Sequence, residues 1–515
     1  MQMEDQSAVI AYLSSLEAFA DGCEIVERAT THISEIFMGK TRVYKLKRAV
    51  KYPYLDFSTK DLRLKYCEAE VRLNRRTAPE LYLGVKPITQ DETGAYHIGH
   101  AGRVVDWVVE MVRFDQNQQF DRLGDAGKLD RHMMEHLADN IASFHAHAEA
   151  RQDGGGRAGI AMTIEGNAKA FAENGRDIVD RAKVATLTEL QYADLSEASV
   201  LLENRRMNGC VRHCHGDMHL GNIFLGTNGE PVLFDAIEFS EAFATIDVLY
   251  DLAFLLMDLD RRGLGTLATV VMNRYMDITG AAWGLFTLPL FLSLRAAIRS
   301  HVACTQAKTI DDPAVQDARG VEAREYLDMA LHYLTIPQPR LIAVGGLSGS
   351  GKSRAARELA PHIGARPGAR VVRSDVLRKR IAGVHPLDKL GPEGYTPTMT
   401  EKTYRAVYDE ARTVLMTGHS VVADCVFSKP EERAAIEAVA KEMDVPFVGL
   451  WLEADVETMQ DRVETRTKNA SDANAEVVKM QLSYDLGDIG WHRVDSSGSR
   501  EQTDAMVLKI LGLDA

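Results

Sequence analysis

The first hundred residues alternate apolar and polar positions in the manner of paired β-strands. Residues 31–49 (THISEIFMGKTRVYKLKRA) contain two such runs around a Gly-Lys turn, which predicts a hairpin. Successive side chains of a strand point to opposite faces, so the alternation through Val43, Lys45 and Lys47 puts both lysines on one face of the second strand. The run at 103–112 (RVVDWVVEMV) predicts a further strand.

The middle of the chain has helical spacing. Residues 60–78 are charged and helical in pattern, and so is most of the stretch from about 127 to 205, which is interrupted by the glycines of 153–156. A strand, a loop and another strand are predicted over 210–239, and helices then continue to about 334. The longest apolar run, 281–294, is short for a membrane span of about 20 residues and predicts a buried helix.

A second pattern begins after the segment TIPQPR at 335–340, whose two prolines break the helical spacing. The sequence LIAVGGLSGSGKS that follows predicts a strand, a glycine loop and a helix. Strand-like runs at 369–373, 419–424 and 446–452 are separated by helical stretches. This alternation predicts an α/β domain with a mainly parallel sheet.

Composition and charge narrow the classes of function. The formal net charge of the 515 residues is −14, and residues 340–515 carry 24 Lys and Arg against 26 Asp and Glu, so −12 lies on residues 1–339. An acidic surface repels phosphate backbones and disfavours broad nucleic-acid binding. The six cysteines form no dense disulfide framework, and the N-terminal residues lack a signal-peptide pattern. We therefore expect a cytoplasmic protein without a membrane segment.

The ordered set His215-Gly216-Asp217, then Asn222, then Asp235 carries the first candidate chemistry. Phosphoryl transfer needs a carboxylate that orients or deprotonates the acceptor hydroxyl, and acidic or amide ligands for Mg²⁺. Asp and Asn at this spacing, in a loop between strands, supply these groups close together. The sequence here resembles the aminoglycoside-phosphotransferase and choline-kinase branch of the protein-kinase-like fold, over about residues 25–330.

The resemblance implies a role for each matching residue. Asp217 would be the catalytic base, Asn222 a magnesium ligand and Asp235 the metal-binding aspartate. Lys45 or Lys47 would contact the ATP phosphates, and Glu70 would hold that lysine. The hinge beside adenine would be formed by Glu110, Met111 and Val112.

The fit to this family has one clear gap and several open roles. The sequence has no glycine-rich loop before the lysine strand, and Thr31–Ser34 occupies that place. Glu238 is a candidate further metal ligand, whereas His215 is better explained as a structural hydrogen-bonding residue. Asp247 and Asp251, four residues apart, are expected to anchor the loop.

The second candidate site is the sequence GLSGSGKS at 346–353, which satisfies the pattern GxxxxGK[ST]. Its backbone N–H groups would cradle phosphates, Lys352 would reach the terminal phosphates, and Ser353 would hold Mg²⁺. A strand before the loop and a helix after it are the context that this pattern requires. The predicted nucleotide-binding residues are Gly346, Ser348, Gly349, Ser350, Gly351, Lys352 and Ser353.

The region 340–510 resembles the small P-loop kinases related to polynucleotide kinase, gluconate kinase and zeta toxins. The resemblance implies that Asp375 orients the acceptor hydroxyl, that Arg378 contacts the substrate and that Asp424 lies near the Mg²⁺ shell. Arg462 and Arg466 would be lid arginines that neutralise charge on the transferred phosphate. The alternatives are a helix N-cap role for Asp375 and plain surface positions for the two arginines.

The expected architecture is an α+β bilobal kinase-like domain followed by an α/β P-loop domain. The predicted boundaries are an N-lobe at 1–112, a helical C-lobe at 113–334, a linker at 335–340 and the P-loop domain at 341–515. The leading hypothesis is a Mg²⁺-dependent phosphotransferase in which both halves use ATP or GTP on hydroxyl groups of small sugar-like or aminocyclitol molecules. The alternatives are one catalytic half beside a regulatory nucleotide-binding half, a nucleic-acid 5′-hydroxyl kinase, and a protein kinase.

Overall fold

The protein is represented by a computed structural model that describes residues 4–52, 55–465 and 471–513. The chain divides into two compact units, one of Met1–Ile160 with Leu201–Leu255 and the other of Ala161–Val200 with Leu256–Ala515. Among the described residues, no helix has both the length and the apolar character needed to cross a membrane.

A six-stranded antiparallel sheet in the order β1-β2-β3-β8-β6-β7 forms the first part of the first unit. The predicted strands at 31–49 and 103–112 are confirmed as β2, β3 and β8. The strands of this part are β1 Glu27–Thr30, β2 Ser34–Met38, β3 Arg42–Lys47, β4 Lys51–Tyr52, β5 Leu55–Asp56, β6 Tyr82–Gln90, β7 Tyr96–Ile98 and β8 Arg103–Val112.

Two helices accompany this sheet. Helix α1, Ser7–Leu13, contributes Val9 and Leu13 to a core that also contains Phe37 and Leu46. Helix α2, Lys60–Asn74, begins where the Thr59 side chain accepts a hydrogen bond from the backbone N–H of Leu62, and it confirms the predicted helix at 60–78. It carries Glu70 towards β3.

The rest of the first unit is mainly helical, with two small antiparallel pairs, β9 with β12 and β10 with β11. The short β10–β11 hairpin separates the two segments that carry the candidate site residues. The elements, in chain order, are α3 Phe120–Asp125, α4 Arg131–His147, β9 Val211–His213, β10 Ile223–Leu225, β11 Pro231–Leu233, α7 Glu241–Ala244, β12 Thr245–Asp247 and α8 Val248–Arg261.

The remaining long helices are α5 Gly156–Asn174, α6 Arg181–Met207, α9 Gly265–Thr279, α10 Leu288–Thr309 and α11 Pro313–Tyr333.

The structure of the apolar run at 281–294 differs from the predicted single buried helix. Its first part is a 3-10 turn, Ala282–Thr287, and α10 begins only at Leu288, with Pro289 in its first turn. Proline is favoured in a first turn because its missing N–H has no helical partner there.

The second unit contains a five-stranded sheet that is parallel throughout, in the order β14-β15-β13-β16-β17. This confirms the predicted α/β domain. Its apolar core includes Ile342, Val344 and Leu450, all fully buried. The elements are β13 Leu341–Gly345, α12 Lys352–Leu359, β14 Arg370–Arg373, α13 Ser374–Ala382, α14 Pro397–Met416, β15 Val421–Asp424, α15 Pro430–Glu442, β16 Phe447–Glu453, α16 Val456–Thr465, α17 Ala475–Gln481, β17 His492–Asp495 and α18 Arg500–Ile510.

Candidate active sites

A cluster of two lysines and three carboxylates lies at the end of β3, and all of these side chains except that of Asp235 are buried. Lys45 Nζ is 2.5 Å from Asp235 Oδ1 and 2.8 Å from Glu70 Oε1. Lys47 Nζ is 2.7 Å from Glu70 Oε2 and also pairs with Glu238. Both lysines therefore contact the same glutamate, as their shared face of the strand predicts. The side chain of Lys47 is fully enclosed, whereas 11% of that of Lys45 is exposed.

The charges of this cluster stabilise one another. Burial alone would lower the pKa of Lys45, but the carboxylates of Asp235 and Glu70 raise it well above its usual value. Burial would raise the pKa of Glu70, but Lys45 and Lys47 lower it. Burial raises the pKa of Glu238 despite its contact with Lys47. The cluster thus holds three carboxyl groups and two ammonium groups.

The loop with the candidate base is held by Asp251 of α8. The Asp251 carboxylate accepts hydrogen bonds from the backbone N–H groups of His215 at 3.0 Å and Gly216 at 2.9 Å. His215 Nε2 lies 2.9 Å from the carbonyl oxygen of Phe234, so this nitrogen carries the proton and donates it. Burial lowers the pKa of His215, which keeps the ring neutral. The structural role of His215 and the anchoring role of Asp251 are both confirmed. Asp247 instead binds Arg205.

The loop 215–222 brings Asp217, Asn222 and Asp235 into one region. Asn222 Nδ2 donates to Asp217 Oδ2 at 3.0 Å, and this leaves Asn222 Oδ1 as a potential metal ligand. The carbonyl oxygen of Asn222 accepts the N–H of Phe234, the residue before Asp235. Asp235 has φ +61°, a left-handed conformation, and its N–H donates to the Tyr82 hydroxyl at 3.1 Å. A backbone hydrogen bond thus connects the loop 215–222 to the residues that follow β11.

The turn between β1 and β2 lies where the resemblance to kinases implies a glycine-rich loop. Thr31 Oγ1 accepts the N–H of Ser34 at 2.9 Å, and Arg48 Nη1 donates to the carbonyl oxygen of Thr31 at 3.0 Å. Burial and the charge of Arg48 lower the pKa of His32. The turn is closed by side-chain hydrogen bonds, without the help of glycine.

The predicted hinge residues lie at the end of β8. Met111 is buried in an apolar core with Tyr82 and Val109. Glu110 lies among the side chains of Arg42 and Lys86, with oxygen–nitrogen separations of 3.7 and 3.8 Å. The backbone N–H of Val112 donates to the carbonyl oxygen of Leu81. Their contact with adenine stays a prediction.

The glycine loop of the second unit joins β13 to α12 as predicted. Gly346, Gly349 and Gly351 have φ of +142°, +86° and +84°, conformations that side chains rarely adopt. A Cβ atom on Gly346 would lie 2.5 Å from the carbonyl oxygen of Leu452. Lys352 is the first residue of α12 and Ser353 the second, so the helix N-terminus faces the loop.

Three polar residues from far along the chain hold this loop. Gln481 of α17 accepts the N–H of Ser348 at 2.7 Å, and Ser496 Oγ donates to the carbonyl oxygen of Ser350 at 2.7 Å. Arg462 Nη2 donates to the carbonyl oxygen of Ser496 at 2.7 Å, and its Nη1 reaches that of Gly349 at 3.4 Å. Arg462 therefore lies at the glycine loop, whereas the other predicted lid arginine, Arg466, lies outside the described residues.

The candidate metal and acceptor residues lie at the carboxyl ends of neighbouring parallel strands. In the sheet register Asp424 is opposite both Val344 of β13 and Arg373 of β14. Arg373 Nε is 3.3 Å from Asp424 Oδ2. Asp375 is two residues after Arg373 in the chain, in the first turn of α13. Ligands of α/β folds bind beyond the carboxyl ends of the strands, where these residues lie.

Arg378 lies one turn further along α13. Its Nη1 donates to the carbonyl oxygen of Gly394 at 2.9 Å, and its guanidinium lies 4.9 Å from the centre of the Tyr395 ring. The Tyr395 hydroxyl donates to Asp472 at 2.7 Å, and Lys379 pairs with the same carboxylate. Burial and the hydrogen bond to Asp472 raise the pKa of Tyr395.

Two families of known proteins match separate parts of the chain. Residues 55–285 match the phosphotransferase enzyme family (APH), and residues 341–484 match an AAA domain family (AAA_33). The chain is an ATP-dependent phosphotransferase with two kinase-type domains. The first match contains Glu70, Asp217 and Asp235, and the second contains the whole glycine loop.

Whole proteins of similar length are also known. The phosphotransferase is 28% identical over 486 residues to an uncharacterized protein of Mycobacterium tuberculosis, covering 92% of this chain and 93% of that protein. A choline/ethanolamine kinase family protein from Mesorhizobium loti is similar over 64% of this chain and 98% of its own, at 13% identity and a TM-score of 0.38. A gluconokinase from Sinorhizobium meliloti is similar over 34% and 93%, at 21% identity and a TM-score of 0.25.

Several residues of these sites carry no signal in the sequence. Gln481, Ser496, Tyr395 and Asp472 lie outside any pattern that spacing reveals, because each reaches its partner across many residues. Glu238 differs from these residues because the sequence indicates it as a candidate metal ligand, three residues after Asp235. In the structure Glu238 pairs with Lys47.

One group of three potential metal ligands occurs within the described ranges, formed by His145, Cys214 and Asp251. Both oxygens of Asp251 already accept the N–H groups of His215 and Gly216, and His145 Nε2 lies 3.2 Å from Oδ2. Hydrogen bonding that anchors the loop explains this cluster without a metal.

Proposed function

We propose that each half of the protein transfers the terminal phosphate of ATP to a hydroxyl group of a small polar molecule, with Mg²⁺ as the cofactor. The observation that carries this proposal is the convergence of Lys45, Asp235, Asn222 and Asp217 in the first unit. The glycine loop beside Asp424 and Asp375 supports the same chemistry in the second unit.

The residues present suit magnesium. Mg²⁺ prefers carboxylate, amide and hydroxyl oxygens. Asn222 Oδ1 and the Asp235 carboxylate would hold it in the first site, and Ser353 with Asp424 in the second. Bound Mg²⁺ would neutralise charge on the phosphates. The exposure of the Asp235 side chain, 40%, makes its carboxylate accessible to such an ion in the first site.

In the first half, Lys45 is the lysine that we assign to the phosphates. Lys47 is enclosed between Glu70 and Glu238, whereas Lys45 is partly exposed and is held beside Asp235. Asp217 would accept the hydrogen of the acceptor hydroxyl, with Asn222 fixing the orientation of its carboxylate. The Asp251 contacts keep this loop from moving during the transfer.

In the second half, the backbone N–H groups of the glycine loop and Lys352 would bind the phosphates. Asp375 would orient the acceptor hydroxyl, and Arg462 at the loop would offset charge on the transferred phosphate. A small-molecule acceptor is supported by the pairing of three basic side chains on β14 and α13. Arg373 pairs with Asp424, Lys379 with Asp472 and Arg380 with Glu410. Because these three charges are matched within the protein, they are less available to a nucleic-acid backbone.

The experiment is a screen of bacterial small-molecule extracts with isotopically labelled ATP and Mg²⁺. Wild type, Asp217→Ala, Asp375→Ala and the control Asp317→Ala, at an exposed position of α11, are compared. We expect each site variant to lose a different labelled product and the control to lose none. Two outcomes would instead favour one catalytic half beside a regulatory half. In the first, both site variants lose the same product; in the second, only one of the two site variants loses any product. Parallel reactions contain 5′-hydroxyl oligonucleotides or lysate proteins as acceptors, and label in either of these in place of small products would contradict the proposal.

A further inference from the structure

Strand β14 lies at the edge of the five-stranded sheet, so one row of its backbone groups has no neighbouring strand. Asn273 of helix α9 takes the place of that strand. Its side-chain Nδ2 donates to the carbonyl oxygen of Ala369 at 3.1 Å, and its Oδ1 accepts the N–H of Val371 at 2.7 Å. One carboxamide therefore completes both hydrogen bonds of a strand position. Thr269, one turn earlier, donates to the carbonyl oxygen of Pro367 at 2.6 Å.

A buried ion network extends this contact. Arg370, whose side chain is 1% exposed, pairs with Asp277 of α9 at 2.6 Å and with Glu410 of α14 at 2.8 Å. The other oxygen of Glu410 pairs with Arg380 of α13 at 2.8 Å. Arg380 also donates to the carbonyl oxygens of Met276 and Asp277, at the end of α9 where the helix dipole is negative.

These contacts hold both ends of one short segment. The segment begins with Arg370 on β14 and ends with Arg380 near the end of α13. Between them lie Asp375 and Arg378, the residues assigned to the acceptor side of the second site. The opposite side of that site, the glycine loop, is held instead by Gln481 and Ser496. Among the described contacts, those of helix α9 lie on the acceptor side, and those that hold the glycine loop come from other elements.

We propose that α9 is the positioning element for the acceptor side of the P-loop site, with Asn273 and Arg380 as its positioning residues. Helix α9 lies within residues 55–285, which match the phosphotransferase family. The working unit of the P-loop kinase therefore begins well before the proline-rich segment at 335–340 and includes a helix of the preceding domain. This inference rests on the proposed function of the second half.

The test is hydrogen–deuterium exchange of the full-length protein, with and without ATP and Mg²⁺. Asn273→Ala and Arg380→Met remove the contacts, Arg380→Lys keeps the charge, and Thr266→Ala is a control at an exposed position of the same helix. We expect exchange over 374–382 to rise about tenfold or more in the first two variants, since local opening follows the loss of local contacts. Arg380→Lys should restore much of the protection, and Thr266→Ala should match wild type.

Protection of residues 346–359 by ATP and Mg²⁺ is the second measurement. The ATP concentration for half-maximal protection should stay within about twofold of wild type in every variant, because the described contacts that hold the loop come from Gln481, Ser496 and Arg462. Unchanged exchange over 374–382 would overturn the inference, as would an equal rise over both regions, which would mark a general loss of folding. Absence of ATP protection at 346–359 in wild type would instead contradict the proposed nucleotide site, and the exchange comparison at α13 would still stand.

Discussion

Lys45 and Lys47 bind opposite oxygens of a single carboxylate, that of Glu70. The two lysines differ in what else they touch. Lys47 is closed off by Glu238 and by the ring of Phe57, 4.9 Å from its Nζ, whereas Lys45 reaches Asp235 at the open side. Lys47 is therefore closed off within the site, and Lys45 is the lysine that we propose contacts the phosphates.

We predict that Lys47→Met and Lys45→Met fail in different ways. Removal of Lys47 leaves Glu70 and Glu238 buried with too little positive charge, which should lower the free energy of unfolding by about 3–5 kcal/mol. Lys45→Met should cost less, about 1–2 kcal/mol, because its other partner, Asp235, has a side chain that is 40% exposed and can be solvated. It should nevertheless abolish phosphoryl transfer by the first half. Urea denaturation and the labelled-ATP assay separate the two effects. A stable, active Lys45→Met protein would contradict the assignment.

Asp251→Asn tests the anchor of the catalytic loop. An amide at this position offers one acceptor oxygen to two N–H groups, so one buried donor loses its partner at a cost of about 1–3 kcal/mol. Displacement of Asp217 should then reduce transfer by the first half about 100-fold. The matched control is Asp247→Asn, which weakens the buried pair with Arg205 and should lower stability without an equal loss of activity. Equal activity losses in both variants would show that stability alone is responsible.

Gly346→Ala tests the phosphate loop. The added methyl group would meet the carbonyl oxygen of Leu452 and would force a side chain into φ +142°, which together should cost about 2–3 kcal/mol locally. We expect ATP affinity of the second half to fall at least about tenfold, by isothermal titration calorimetry in an Asp235→Ala background. Gly166→Ala, in α5 with open space around the glycine, should bind ATP as wild type does.

We predict that replacing Asp194 of α6 by asparagine stabilises the protein in a pH-dependent way. Burial, and then the charge of Glu197, raise the pKa of Asp194 to about 6 from an ordinary 3.8. Because ionisation is harder in the folded state, the native protein is penalised above pH 6, and the penalty disappears as the pH falls towards 4. Asp194→Asn should therefore raise the free energy of unfolding at pH 8 by about 1 kcal/mol, a value reduced for partial exposure.

The measurement is thermal unfolding of wild type and Asp194→Asn at pH 8 and at pH 4.5. The variant should melt higher at pH 8 and show a smaller difference at pH 4.5. Asp317→Asn, at an exposed position, should show no such pH-dependent difference. A gain of the same size at both pH values would point to a cause other than the charge of Asp194.

The local parts of the fold could be predicted from the sequence. The alternation around Val43 places both lysines on one face, and the strand, glycine loop and helix around Lys352 follow from a compact pattern. Apolar periodicity and glycine spacing act over a few residues, and so are visible without the structure. The order of the strands in either sheet was not predicted in this way.

Contacts that cross long distances in the sequence were beyond prediction. Gln481 reaches the N–H of Ser348 across 133 residues, and Asn273 reaches Val371 across 98. A single polar side chain has no period that distinguishes such a partner from an exposed residue. The start of α10 at Leu288 was missed for a different reason, since apolar content alone does not reveal that Ala282–Thr287 forms a tighter turn.

The backbone at Asp235 limits which residues evolution can place there. Its φ of +61° is costly for most side chains, above all for branched ones, whereas asparagine and glycine tolerate it. A saturation library at this position should therefore yield well-folded protein mainly for Asp, Asn and Gly, and of these only Asp supplies a negative charge to Lys45. A screen for phosphoryl transfer by the first half would recover aspartate alone, and a screen for folding alone would recover all three residues.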